Sequence, residues 1–161
     1  MADTAADETE RLVRIHAIGP HHLCRLALPA MREQAAARGR ADIVFVSSAA
    51  TDHHSANGAP YNMGKAAMEA LAFTLAKEEV ANFIHVNVVA PGLVVSDMGR
   101  RLARAATGVT DIHELDARFP FGRVCEPEDV ARVVGFVCSD ASGYVTGERI
   151  RVNGGGGMLR S

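Results

Sequence analysis

The chain has 161 residues, 48% of them apolar and 22% charged, and a formal net charge of −2. That is the balance of one globular domain with a core of its own. It excludes the basic footprint that DNA, RNA or an anionic membrane surface requires.

No apolar stretch approaches the roughly 20 residues of a membrane helix. The acidic start MADTAADETE has no apolar segment of the kind that opens a secretory leader. These features predict a cytoplasmic chain. Cys24, Cys125 and Cys138 are too far apart for a CxxC motif, and the histidine pairs His21-His22 and His53-His54 have no Cys/Asp/Glu set beside them. No metal site is expected.

Residues 1–7 are expected to fray. A helix is predicted from Glu8 to about Arg38, with Leu12, Ile15, Leu23, Leu26 and Ala30 in loose helical period and Gly39 as its stop. Pro20 should bend it, because proline removes a backbone donor and crowds the preceding turn. Ile43–Val46 reads as a buried strand and Ser47–Ala59 as a loop. Pro60 suits the first turn of a second helix, which runs to about Ala81. Its small residues Gly64, Ala66, Ala67 and Ala70 allow close packing.

Ile84–Val89 reads as a second strand, closed by the turn Pro91-Gly92. Ser96 to about Ala117 mixes helical patches with Gly108 and is expected to be mobile. Glu126-Pro127-Glu128-Asp129 opens a helix to about Cys138, with proline and acids where a helix N-terminus favours them. Gly143–Thr146 is a turn, Arg149–Val152 a third strand, and Gly154–Gly157 a glycine run. Alternating helices and strands predict a parallel sheet with helical crossovers.

The chemistry gathers around APYNMGKAAMEAL. Tyr61 and Lys65 are four residues apart and so share a helical face. A tyrosine hydroxyl is a poor proton exchanger at neutral pH unless a nearby cation favours the phenolate. Ser48 ends the first strand thirteen residues before Tyr61, and Pro91-Gly92 ends the second. All these features fall at the carboxyl edge of a parallel sheet, where ligand sites of such folds form.

With those residues in place, the sequence resembles the classical short-chain dehydrogenase/reductase family. The matching segments are IVFVSS, YNMGKAAMEAL, IHVNVVAPGLVVSDM, FGRVCEPEDVA and YVTGERIRVNGG, in the family's order. The resemblance implies an α/β fold: a truncated Rossmann-like, doubly wound domain over residues 1–161 with about three parallel strands and flanking helices. It implies an oxidoreductase that interconverts a small-molecule carbonyl and an alcohol with NAD or NADP.

Tyr61 would be the acid/base, Lys65 would promote its ionisation and hold the nicotinamide ribose, and Ser48, rather than Ser47, would orient the carbonyl. Pro91, Gly92, Val94 and Ser96 would line the cofactor, and residues 96–117 would cover the substrate. His53, His54, Met98 and the loop around Ala105 are candidates to face it.

Two departures stand out. His16 occupies the place of a usual asparagine, so a proton relay there would run through an imidazole. The family's Gly-rich first half has no counterpart, and Gly19 and Gly39 have no glycine partners. The strand at 43–46 would therefore be an exposed edge, and one sheet face would lack its usual helices. A homodimer or homotetramer through the helices at 8–38 and 60–81 is expected. The alternative is a non-catalytic, truncated relative that serves as a dimerisation or interaction module.

Overall fold

The computed structural model describes residues 4–155. Residues 1–3 of the stretch expected to fray, and Gly156 and Gly157 of the glycine run, lie outside the described residues.

The first predicted helix is three pieces in line. α1 spans Ala6–Val13, a π-helical turn spans Arg14–Ile18, and α2 spans Gly19–Arg38. Pro20 explains the middle piece. It has no N–H to give to the His16 carbonyl, so the α-helical ladder must be interrupted there. The interruption takes the form of one widened turn, in which the Gly19 N–H bonds the Arg14 carbonyl five residues back.

β1 spans Ala41–Val46, two residues longer than expected at its start. The Ala41 N–H already donates to the Phe83 carbonyl, and Arg40 pins Asp42 through its guanidinium. A one-turn helix, α3 (Ala50–His53), interrupts the expected loop. α4 spans Ala59–Glu79 and passes through a 3-10 turn into β2, Ile84–Pro91. β2 runs two residues past its expected end at Val89. A terminal proline lacks a donor yet keeps its acceptor, and the Ala49 N–H bonds the Pro91 carbonyl at 2.8 Å.

The segment after β2 folds as α5 (Asp97–Thr107) and a 3-10 helix over Ile112–Arg118. A small cluster of Leu93, Ala103, Ile112, Leu115 and Val124 holds the two together. α6 spans Pro127–Val137 and β3 Arg149–Val152.

The sheet is parallel, in the order β1-β2-β3, with Ala41 opposite Ile84 and Val88 opposite Arg149. α2 and α4 pack on one face around Phe45, Met68, Leu75, Ile84 and Val86. α6 crosses the other face. Its cover is incomplete, since Phe136 remains 45% exposed.

β1 pairs on one side only among the described residues. The N–H groups of Ala41, Ser47 and Ala49 point at β2 or its lead-in. Strand alternation then turns the backbone groups of Asp42, Val44 and Val46 to the open side.

Two packing details carry predictions. A Cβ on Gly64 would stand 3.0 Å from the Leu12 carbonyl oxygen and 3.1 Å from the His16 Cβ. Helix α4 therefore touches the backbone of α1 and the π-turn at this point. Gly64→Val should destabilise the fold by about 2 kcal/mol through overpacking, read as a melting temperature lower by roughly 5 °C.

Glu79 ends α4 fully buried, taking hydrogen bonds from Arg32 on α2 and from Asn82. The Arg32 bonds hold its carboxyl below the usual glutamate range, and burial opposes them only in part. The lowered value means that the unfolded chain takes up the proton first as pH falls. The stability from this pair is complete above about pH 4.3 and drains away as pH drops through the folded value. Acid titration of the urea midpoint should lose this component in Glu79→Gln.

Candidate active site

Tyr61 sits in the first turn of α4, just after Pro60, which pre-sets the backbone there. Lys65 follows one turn later and is 92% buried, being only 8% exposed. Its Nζ donates to the Val46 carbonyl at 2.9 Å and lies 5.8 Å from the centre of the Tyr61 ring. Val46 is one of the β1 residues whose carbonyl faces the open edge. The ammonium thus occupies an acceptor that no strand claims among the described residues. Burial pushes the Lys65 ammonium below its ordinary value, and the Glu69 carboxylate one turn on works against that shift.

His16 joins the pair from the π-turn. Its ring meets the Tyr61 ring edge-on, with centres 5.4 Å apart and planes at 88°. The close approach depends on Gly64, against which the His16 side chain lies. Burial first, and the Lys65 charge second, lower the His16 value, so the neutral imidazole is favoured at neutral pH.

Ser48 follows β1 at the carboxyl edge. Its Oγ accepts from the Ala50 N–H at 3.1 Å, which leaves its own proton free to donate. Ser47 is buried and spends its hydroxyl on Glu69. The alternation at the strand's end therefore separates the two serines.

Pro91 closes β2 opposite Val152, and Gly92, Val94 and Ser96 lie beyond the carboxyl end of that strand, but each has a structural partner. The Gly92 N–H bonds the Val152 carbonyl at 3.0 Å, and a Cβ there would stand 3.0 Å from the Asn153 Cβ. Val94 bridges to Cys125. The Ser96 Oγ caps α5 by accepting from the Gly99 N–H at 3.1 Å.

Sequence reasoning missed the busiest polar residue of the region. Arg149 of β3 is nearly buried, with a side chain 14% exposed. Its Nε donates to Glu69 at 3.0 Å, Nη1 to Asp52 at 3.0 Å, and Nη2 to the Ser48 carbonyl at 3.0 Å and to Thr51 Oγ1 at 2.7 Å. One guanidinium thus ties β3 to the Ser48 loop and to the helix carrying Lys65. The only signal in sequence was the alternation of charge in Arg149-Ile150-Arg151-Val152, which gives no partner.

For a nicotinamide cofactor, the fit is to one end. Lys65 has two ammonium protons beyond the one given to Val46, and Tyr61 offers a hydroxyl. Among the described residues there is no Gly-rich strand-to-helix turn to cradle a diphosphate.

Comparisons with known proteins bear on the family and the fold. A family model described as enoyl-(acyl carrier protein) reductase matches residues 1–156. The human protein dehydrogenase/reductase SDR family member 4 is 33% identical over 153 residues, which are 95% of this chain and 52% of that protein. The 3-oxoacyl-(acyl-carrier-protein) reductase FabG of Pseudomonas aeruginosa is 37% identical over 134 residues, 83% of this chain and 51% of that one.

Among solved structures, a 7α-hydroxysteroid dehydrogenase complexed with NADH and 7-oxo glycochenodeoxycholic acid superposes with a TM-score of 0.84 at 26% identity. It covers 98% of this chain and 59% of that one. The chain spans about half the length of the curated relatives it matches.

Proposed function

The chain belongs to the short-chain dehydrogenase/reductase family, and on that premise we propose that it interconverts a carbonyl and an alcohol with NAD or NADP, using Tyr61 as acid and base. The observation that carries the proposal is the cluster of Tyr61, Lys65 and His16 at the carboxyl edge of a parallel sheet.

A bound nicotinamide supplies or takes the hydride. In carbonyl reduction the Tyr61 hydroxyl gives its proton to the substrate oxygen, and in alcohol oxidation the phenolate takes it back. Ser48 Oγ–H holds the same oxygen in reach. The Lys65 ammonium stabilises negative charge at Tyr61 and donates to the nicotinamide ribose. The neutral His16 passes protons between Tyr61 and solvent. The backbone from Pro91 to Val94, with Ser96, lines the nicotinamide end, and residues 96–117 cover the substrate.

The outer surfaces of the π-turn, α2 and α4 support a homodimer or homotetramer. Ile15, Leu23, Leu26 and Met63 are each more than half exposed there, beside the exposed small residues Ala66, Ala67 and Ala70. Such a face suits an isologous interface.

A fluorescence titration with NADH and with NADPH tests the catalytic proposal. Saturable binding is expected. No binding at millimolar cofactor would sink the proposal for this chain. The open β1 edge, with Lys65 engaged by an edge carbonyl, favours a second reading, an interaction module without catalysis. Measurable cofactor-dependent turnover rules that reading out.

A further inference from the structure

We propose that the basic side of α5 is a binding site for a phosphate or diphosphate ester. Asp97, Arg100, Arg101 and Arg104 line a cleft of about 250 Å³ on this helix. At 100° per residue these four side chains fall within about 100° of the helix circumference. Gly99 and Ala103 face inward and are buried, whereas Asp97, Arg100, Arg101 and Arg104 are all exposed, so the groove runs along the side of α5 turned away from its packed face.

Three guanidinium groups share the cleft with a single carboxylate. Arg100 reaches Asp111 only at 3.9 Å, and neither Arg101 nor Arg104 makes an ion pair among the described residues. Asp97 is spaced to pair with Arg101 one turn on, yet among the described residues the two form no ion pair. Arg100 and Arg104 form an i,i+4 pair of like charge, which costs helix stability unless a counter-charge sits between them.

A phosphate group answers that need. It offers several oxygens to forked guanidinium donors, which bind such oxyanions in pairs. The groove is open to solvent along α5, so a diphosphate can reach the three guanidinium groups without entering the fold. Asp97 at one end repels an anion and confines it to the Arg100–Arg104 side. α5 leaves the carboxyl end of β2 through Ser96, so the site belongs to the same rim as Tyr61 and Ser48. The substrate then carries a phosphate-bearing end. That last step rests on the proposed function, whereas anion binding by α5 does not.

Titration of the whole chain with inorganic pyrophosphate, by calorimetry without nicotinamide cofactor, tests the site. Saturable binding is expected, weakened at least tenfold, or about 1.4 kcal/mol, in Arg101→Gln/Arg104→Gln. It should also weaken with added salt. The double change Arg25→Gln/Arg38→Gln on α2 alters net charge equally and should leave binding within about twofold.

Absence of saturable binding overturns the proposal, as does an equal loss in the two double variants. Loss in Lys65→Met but not in Arg101→Gln/Arg104→Gln would place the anion at the catalytic cluster instead. Acetate binding as tightly as pyrophosphate would refute the phosphate class. Failure of the NADH titration alone leaves each of these outcomes readable.

Discussion

Lys65→Met is expected to cut turnover by roughly 10²- to 10⁴-fold, the usual share of acid–base assistance, and at the same time to raise the melting temperature. The two effects have one origin. Lys65 is buried, and burial is the main cause that lowers its ionisation value. An ammonium in that position costs folding free energy, which one bond to Val46 and the pull of Glu69 one turn on only partly return.

Methionine keeps the volume and removes the charge. The Val46 carbonyl loses its donor, but Val46 is 48% exposed on the open edge, so water replaces it. A net gain of about 1 kcal/mol follows, or roughly 2–4 °C in melting temperature.

The pH dependence has a definite sign. A lysine whose folded value lies below its unfolded one weakens the fold most at low pH, and the deficit closes as pH rises through the folded value. The advantage of Lys65→Met should therefore be full at neutral pH and shrink in alkali. Tyr61→Phe, which removes only a hydroxyl, should match the loss of turnover without the gain in stability. A Lys65→Met protein that melts lower than wild type would refute the account.

Arg149→Met should be the most damaging single change outside the cluster, at about 3 kcal/mol. Its guanidinium serves two carboxylates, a hydroxyl and the Ser48 carbonyl, while its side chain is only 14% exposed. Removal strands the Glu69 carboxylate, which is 13% exposed and also holds Ser47. Asp52 suffers less, since Arg151 still reaches it at 3.3 Å. Arg151 is 62% exposed, and Arg151→Met should cost under about 1 kcal/mol.

Arg149→Lys should recover only part of the loss, because a single ammonium cannot span four acceptors that a planar fork reaches together. Urea denaturation of the three variants measures the order. Equal midpoints for Arg149→Met and Arg151→Met would contradict the hub.

Much of the site was legible because its parts are local. Tyr61 and Lys65 share a face by helical period alone, and Ser48 falls at a strand end by the limits of the run IVFV. The elements around residues 8–38, 60–81, 127–138 and 149–152 follow from periodicity and from proline and glycine placement. The boundaries that moved depend on pairing. β1 begins early because Ala41 finds Phe83, and β2 ends late because Pro91 still accepts from Ala49. Neither partner is visible along the chain. The one-turn helix at Ala50–His53 is likewise tied to its surroundings through Thr51, Asp52 and Arg149.

By itself the sequence determined the alternation of helices and strands, the parallel sheet, the spacing of Ser48, Tyr61 and Lys65, and membership of the family, because each of these is written in local period and order. Tertiary structure alone decided what those residues touch. It set Lys65 on the Val46 carbonyl, brought His16 to Tyr61 through a widened turn forced by Pro20, and made Arg149 the tie between β3 and the Ser48 loop. These contacts join segments 19, 45 and 101 residues apart. Strand register and the close approach at Gly64 create them, and no local pattern encodes either.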